Sequence, residues 1–383
     1  MKKLHLLYQI HLENYFSAVE YLMVSIVIML LQKNHWVRLE KLAENFPIPI
    51  KQRSRIKKLQ RLLSLPKWNI QKIWFPILKS WLKQEFNSED FLYLVIDRTQ
   101  WKDVNLLMIS LAYNRRAIPI YFILLNKLGN SNYEEQKQVL NPVLNLLEDY
   151  NKVVLGDREF CSVDLAKWLS SWSHTYFSLR LKKNTCIQIE AEIWQQLQEL
   201  KLTPGMSVYH QGVKVTKTKG FGPFNLAAKW KKTYRGWTVD EAWFLITNLD
   251  SVDNSIEAYQ RRMGIEEMFR DFKSGGYNLE GTQVRGKRLE ALILLITLAY
   301  SQATFWGNKL QSLGIGNYVV RPTPPRRKYR QHSQFYLGLQ GFSWLDSLTF
   351  FVDEIQELLS LAPQSLPHYQ RGLKAITLLQ SVF

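Results

Sequence analysis

The order of apolar segments between residues 91 and 181 constrains the fold more than any other feature of this chain. Three apolar runs follow one another with only short turns between them, at 91–97, 104–113 and 117–125. Runs of this length, bounded by turn residues, predict adjacent strands. The next segments predict, in order, a helix, a β-branched strand, a second helix and a further strand, at 133–150, 152–155, 162–172 and 175–181.

Three meandering strands followed by helix, strand, helix and strand is the order of an RNase H-like α/β fold. Residues 203–237 alternate in polarity and are rich in Gly, Thr, Val and Tyr, which predicts an antiparallel β insertion. Residues 190–200 predict a helix, and 242–249 a strand returning to the core. We therefore expect a helical domain at 1–90, an RNase H-like core at 91–310 with a β-strand insertion at about 186–241, and a basic arm with a helical C-terminal region at 311–383. The final helix is predicted at 344–361.

Composition favours a packed protein with an anionic partner. The chain has 383 residues, is 46% hydrophobic and carries a formal net charge of +17. Such a positive balance points first to nucleic acid and second to an acidic membrane surface. The apolar runs 21–31 and 291–306 fall short of the roughly 20 residues that a membrane span requires, so we expect buried helices and no membrane partner. The two cysteines exclude a disulfide framework, and with no signal peptide expected they favour the reducing cytoplasm.

Two basic segments are candidates for contact with nucleic acid. Short helices at 37–46 and from Ser54, with Ser54 as N-cap, predict a helix-turn-helix layout. Ten Lys or Arg and no acid lie between Lys51 and Lys83, whereas a solvated helical face would usually mix charges. The arm at 321–330 is also basic and rich in proline. The candidate DNA-binding residues are Arg53, Arg55, Lys57, Lys58, Arg61, Arg326, Arg327, Lys328 and Arg330.

Three acids stand where a metal site of an RNase H-like sheet would need them. Asp97 is expected to end the first strand and Asp157 to follow the fourth, and these strands are neighbours in that fold. Glu266, on a later helix that is predicted to begin at Ser255, is the third donor, with Glu267 as its local rival. Three carboxylates without a nearby His or Cys select a hard ion, Mg²⁺ or Mn²⁺. Two such ions would activate a water or a 3′-hydroxyl and stabilise the leaving oxygen.

The residues around Glu266 strengthen this interpretation. Tyr259, Arg262, Glu266 and Lys273 recur at i, i+3, i+7 and i+14, which places them on roughly one side of a helix. A carboxylate beside a phenol and two cations suits a metal-bound phosphodiester, with Glu266 on the ion and the others on phosphate oxygens.

Together these motifs resemble the insertion-sequence transposases of the DDE class in bacteria, and more narrowly the Y-(2)-R-(3)-E-(6)-K group called insertion-sequence family four. Tyr259, Arg262, Glu266 and Lys273 match that signature without a gap, and 95–102 and 153–160 resemble its two aspartate blocks. One departure is Gly264, where many relatives carry a bulky aromatic residue.

The resemblance implies cut-and-paste transposition through a hairpin, catalysed by Asp97, Asp157 and Glu266. It implies a homodimer acting on paired inverted-repeat ends and on target DNA, in the cytoplasm at the nucleoid. It also implies that an aromatic residue of the β insertion stacks on a flipped base, for which Trp237 and Trp243 are candidates. A core tryptophan is an equally good interpretation of Trp243.

Two other functions fit the same residues. The first is a different RNase H-like nuclease, such as a junction resolvase, although simple hydrolysis does not need the Tyr, Arg and Lys companions. The second is a catalytically inactive DNA-binding relative, against which the intact acids count.

Overall fold

A computed structural model describes residues 4–190, 192–218, 221–234, 237–326 and 330–383. The helices are α1 Leu6–Tyr15, α2 Ala18–Asn34, α3 Leu39–Glu44, α4 Gln52–Leu63, α5 Ile70–Glu85, α6 Tyr133–Leu146, α7 Val163–Ser170, α8 Val252–Arg261, α9 Met263–Phe272, α10 Lys287–Ser312, α11 Gly316–Val319, α12 Gln334–Phe350, α13 Val352–Leu361 and α14 Leu366–Gln380. The strands are β1 Phe91–Trp101, β2 Val104–Tyr113, β3 Arg116–Leu125, β4 Asn151–Gly156, β5 Thr175–Arg180, β6 Cys186–Gln188, β7 Trp194–Gln196, β8 Ser207–Val215, β9 Phe221–Lys229, β10 Thr233–Tyr234, β11 Trp237–Thr238 and β12 Trp243–Thr247.

Contacts divide the chain into two compact units. One is Leu82–Phe269, which contains the strands, and the other combines Met1–Trp81 with Arg270–Phe383. These boundaries differ from the expected limits near 90 and 310, because residues 270–383 pack with the N-terminal helices. We call the two units the sheet unit and the helical unit.

The sheet unit is built on one mixed sheet of ten strands in the described part of the chain. Its order is β3-β2-β1-β4-β5-β12-β9-β8-β6-β7. β1, β2 and β3 form an antiparallel meander, whereas β4 runs parallel to both β1 and β5. β2 and β4 are almost wholly buried, which explains their continuous apolar sequences. α6 begins with a capping box at Asn132 and Glu135 and packs on β2 and β3.

The β insertion extends this sheet. β12 pairs antiparallel with β5 on one side and with β9 on the other, and β8, β6 and β7 continue outward from β9. The helix expected at 190–200 is wrong. That segment contains β7 and a short 3-10 helix at Leu197–Leu200. Its backbone instead pairs with β6, and Leu197 N donates to Thr185 O at 3.0 Å.

The helical unit is organised around α10. This helix is apolar on every side and almost wholly buried, as the sequence predicted, by neighbours that include α2, α4 and α12. α12 crosses it very closely, because a Cβ at Gly307 would overlap the carbonyl oxygen of Gln334, and one at Gly338 that of Ala303. Among the described residues, α10 is the one helix long and apolar enough to cross a membrane, and 94% of its most apolar stretch is buried inside the protein.

Two details of the helical unit differ from expectation. α4 begins at Gln52 with Lys51 as its N-cap, so Ser54 lies inside the helix and does not cap it. The single helix expected at 344–361 is divided at Phe351 into α12 and α13, and α14 follows it.

Candidate active site

Two aspartates lie at corresponding positions on the neighbouring strands β1 and β4. The last residues that pair between these parallel strands are Val95 and Leu155, and Asp97 and Asp157 each lie two residues further on. Asp157 directly follows β4, as expected. Asp97 does not end its strand, because β1 continues beside β2, where Asp97 pairs with Met108. Both acids therefore lie at the same end of the β1–β4 pair, just past the last residues that pair between the two strands.

The backbone just after each aspartate orients its carboxylate. Asp97 Oδ1 accepts a hydrogen bond from Arg98 N at 2.7 Å, and Asp157 Oδ1 accepts one from Glu159 N at 2.8 Å. Glu159 is itself held by Arg98 through Nε at 3.1 Å. The two acidic segments are thus tied to each other by an ion pair between residues that neighbour the acids.

Arg262 connects Asp97 to Glu266. Its Nη1 donates to Asp97 Oδ2 at 3.2 Å, and its Nη2 donates to Glu266 Oε1 at 2.5 Å. The Arg262 side chain is only 11% exposed, whereas that of Glu266 is 44% exposed. Glu267 instead accepts from Arg116 on β3 at 3.1 Å. Glu266, not its neighbour, therefore belongs to the cluster of Asp97.

The pKa of Asp97 is raised, and burial is the main cause. Removal of its carboxylate from water raises the pKa of Asp97 to about 7. The charge of Arg262 and the hydrogen bond from Arg98 N oppose that shift, and the negative charges of Asp157 and Glu266 add to it. The positive charge of Arg262 therefore does not offset the effect of burial on Asp97.

The chemistry of this donor set fits a hard divalent cation. The candidate ligands are three carboxylates, and a bound cation would stabilise the ionised form of Asp97 that burial disfavours. In the described ranges, however, no three His, Cys, Asp or Glu side chains are grouped closely enough to hold a metal ion. Arg262 contacts both Asp97 and Glu266 in this arrangement.

Tyr259 combines a core ring with a polar end. Its ring is 3% exposed and lies edge-to-face against Trp243, with 5.1 Å between centroids. Its hydroxyl is buried and has no hydrogen-bond partner within the described chain. Burial raises the pKa of Tyr259, and the charges of Arg262 and Arg180, together with the side-chain contact to Arg180, act in the opposite direction. The hydroxyl therefore lies within the electrostatic reach of two arginines.

The signature residues lie along two consecutive helices, α8 and α9, which meet at Arg262, and the backbone of Arg262 keeps right-handed helical angles. α8 starts at Val252, not at Ser255, and ends at Arg261, and α9 starts at Met263. The junction is tightened by i→i+3 hydrogen bonds from Arg262 N to Tyr259 O and from Ile265 N to Arg262 O. Lys273 lies beyond the end of α9, in the helical unit, where it pairs with Glu280 at 2.8 Å.

Of the two tryptophans expected to stack on a flipped base, Trp243 is buried in the structure. Trp243 is 7% exposed in the cluster with Tyr259, so no open ring face is available to a base without rearrangement. The side chain of Trp237 lies outside the described residues.

Most of the described candidate DNA-binding residues are exposed, and one of them, Arg55, is hydrogen-bonded within the protein. Arg53, Lys57 and Arg61 are exposed on α4, and Lys58 is half-buried. Arg55 Nη1 donates to Phe46 O at 3.3 Å and to Glu44 O at 3.5 Å, so it also caps the end of α3. Arg326 and Arg330 are exposed, whereas Arg327 and Lys328 lie outside the described residues. DNA binding by these side chains stays a prediction.

A further ion cluster beside Asp157 was not predicted from the sequence. Glu241 Oε1 accepts from Arg180 Nη2 at 2.6 Å and also pairs with Arg158. Arg180 ends an apolar strand, and Glu241 follows Asp240 just before another strand, so their spacing in the sequence does not predict a contact. Only the strand order, which places β12 beside β5, brings them together.

Comparison with known proteins gives one family match. The family described as "Transposase DDE domain" matches residues 98–301, a range that includes Asp157 and Glu266 and begins one residue after Asp97. No curated protein matches the chain significantly. A cryo-EM structure of the piggyBac transposase synaptic complex with hairpin DNA aligns over 84% of this chain and 78% of that chain, with 13% identity and a TM-score of 0.40.

Proposed function

Because the chain belongs to the family of transposases with a DDE domain, we propose that it cuts the ends of an insertion sequence and joins them to target DNA. The observation that carries this proposal is the paired position of Asp97 and Asp157 at the β1–β4 edge, with Glu266 joined to Asp97 through Arg262. The order β3-β2-β1-β4-β5, with β4 parallel to both neighbours, supports an RNase H-like core.

Asp97, Asp157 and Glu266 are the proposed catalytic residues and would hold Mg²⁺ or Mn²⁺. When bound, a pair of such ions supplies Lewis acidity for an attacking oxygen and neutralises charge on the leaving one. The contribution of the chain itself is orientation, since backbone N–H groups fix both aspartates. Arg262 would exchange its carboxylate contacts for phosphate oxygens, which match a guanidinium fork equally well.

The proposed reaction is cut-and-paste transposition through a hairpin. A water attacks the phosphodiester at the element's end, and the strand breaks to leave a free 3′-hydroxyl. That hydroxyl attacks the opposite strand, which closes a hairpin and releases the flanking DNA. A second water opens the hairpin, and the 3′-hydroxyl then attacks target DNA. Tyr259, Arg262 and Lys273 are the proposed contacts to phosphate, and a cytoplasmic homodimer on two ends is the proposed assembly.

A cleavage assay tests the function directly. The substrate is duplex DNA that carries the sequences flanking the coding region, and the products are resolved by strand. We expect nicking at a fixed position, then a hairpin, in Mg²⁺ or Mn²⁺ and not in EDTA. Asp97→Asn and Glu266→Gln should abolish cleavage and keep DNA binding within a few-fold of the unmodified protein. Cleavage that persists in EDTA would contradict the proposal.

The same assay separates the alternatives. A junction resolvase would cut branched DNA and leave linear flanking DNA intact. An inactive relative would bind the flanking DNA without cutting it in either metal. Strand transfer into a second duplex is expected from the transposase alone.

A further inference from the structure

Glu241 holds two arginines beside the candidate active site. Arg158 directly follows Asp157, and Arg180 is the last residue of β5, the parallel neighbour of β4. Both pair with the same oxygen of Glu241, which Arg180 Nη2 contacts at 2.6 Å. A single carboxylate therefore pairs with two guanidinium groups beside Asp157 and leaves the three charges with a net positive balance.

Several donors around this ion cluster have no acceptor. The Nε atoms of Arg158, Arg180 and Arg262 and the hydroxyl of Tyr259 are all buried without a hydrogen-bond partner in the part of the chain that the structure describes. Leaving buried donors unpaired is costly, and native proteins usually satisfy them with water or a ligand.

Electrostatics shows that these four groups are close to one another. Burial lowers the pKa of Arg180, and the positive charges of Arg158 and Arg262 lower it further. Tyr259 acts on Arg180 in the opposite direction. The concentration of like charge near one phenol is what an anion-binding site requires.

We propose that Arg158 and Arg180, with the Tyr259 hydroxyl, form a binding site for one phosphodiester group of DNA, and that Glu241 competes for it in the DNA-free protein. This inference rests on the proposed function, because it assumes a DNA substrate. A phosphodiester offers two non-bridging oxygens with one negative charge, and two guanidinium forks can take one oxygen each. Glu241 presents a similar pair of oxygens with the same charge.

The exposure of these side chains suits an exchange of anions. The side chains of Glu241 and Arg158 are 34% and 41% exposed, so water screens their attraction and the pair is weak. Arg180 is only 19% exposed, and its buried stem keeps it in place when its partner leaves. Replacing Glu241 by a phosphate thus breaks little and preserves the charge of the cluster.

Removal of the competing charge tests the proposal. Affinity is measured by fluorescence anisotropy in EDTA with a short labelled duplex from the DNA that flanks the coding region. Glu241→Gln should tighten binding roughly three- to fivefold, the size of a half-exposed ion pair, and Glu241→Ala should act in the same direction. Glu134→Gln is the matched control, because it removes the same charge from a 77% exposed position on α6 and should leave affinity unchanged.

A double variant shows whether the gain acts through the arginines. In Arg180→Gln, DNA binding should be weaker, and adding Glu241→Gln should then bring no gain, since the two residues act on one site. Glu241→Gln with unchanged or weaker binding, a gain no larger than that of Glu134→Gln, or a gain that survives in Arg180→Gln would each overturn the proposal. An unmodified protein that neither binds nor cuts the duplex would instead contradict the proposed function.

Discussion

Arg262 and Asp97 are 165 residues apart in sequence, yet Arg262 Nη1 donates to Asp97 Oδ2 at 3.2 Å, and both side chains are less than 15% exposed. Removing one partner of a buried pair leaves the other charge unpaired in a medium that solvates it poorly. Arg262→Ala should therefore lower the free energy of unfolding by about 3 kcal/mol, measured by urea denaturation at pH 8 in EDTA.

The adjacent arginine supplies the control for this measurement. Arg261 pairs with Glu257 at 3.5 Å, and their side chains are 46% and 73% exposed. Arg261→Ala should lower the free energy of unfolding much less than Arg262→Ala, because exposed ion pairs contribute little. Equal losses in the two variants would show that the contact with Asp97 carries no special stability.

The raised pKa of Asp97 predicts a pH-dependent stability. An acid whose pKa rises on folding binds its proton more tightly in the folded state, so its stabilising contribution is complete below the unfolded pKa. That contribution is lost as pH rises through about 7, the value for Asp97 in the folded protein. In EDTA, Asp97→Asn should thus become more stable relative to the unmodified protein between pH 5 and pH 8. A relative stability that falls over this range would exclude the raised pKa.

Close packing against β3 explains why glycine occupies position 264, which could not be predicted from the sequence. A Cβ at this position would overlap the carbonyl oxygen of Arg116 on β3. Gly264→Ala should destabilise the protein by about 2 kcal/mol through overpacking, measured by thermal and urea unfolding. Gly372 in α14 has open space around it, so Gly372→Ala should instead stabilise by about 0.5–1 kcal/mol through helix propensity. Destabilisation by both substitutions would remove the argument from close packing.

The hydroxyl of Tyr259 should matter to catalysis and not to stability. Its one side-chain interaction among the described residues is with Arg180, which Glu241 also holds, so Tyr259→Phe should change the free energy of unfolding little. Loss of one contact to phosphate should slow DNA cleavage roughly tenfold. Tyr8→Phe gives the opposite pattern, because the Tyr8 hydroxyl is hydrogen-bonded to Ser301 Oγ at 2.7 Å, and its loss should cost about 1 kcal/mol of stability. Normal cleavage by Tyr259→Phe would contradict a phosphate contact.

The sequence predicted those elements whose signal is local. Apolar runs bounded by turns identified β1 to β5 and β12, since a buried strand must be apolar wherever it lies in the chain. The segment 190–200 has helix-favouring Glu, Gln and Leu, but pairing with β6 and with residues 183–185 overrides that preference. Helix propensity is too weak to resist several backbone hydrogen bonds to a neighbouring strand.

Contacts between residues that are far apart in the sequence could not be predicted. The spacing of Tyr259, Arg262 and Glu266 predicted that they act together. It did not predict the tighter turn at Arg262 or the contact between Arg262 and Asp97. The spacing of Glu241 and Arg180 in the sequence does not predict their ion pair, because the pair depends on which strands are neighbours in the sheet.

The placement of β12 between β5 and β9 makes the insertion inseparable from the core. Excising residues 186–241 would strip β12 of its outer partner and expose a row of unpaired amides and carbonyls. An exposed border strand of this kind can pair with other chains, which leads to aggregation. A change in the length of β8, which is not bonded to β12, would leave this border covered, whereas loss of residues 186–241 would not.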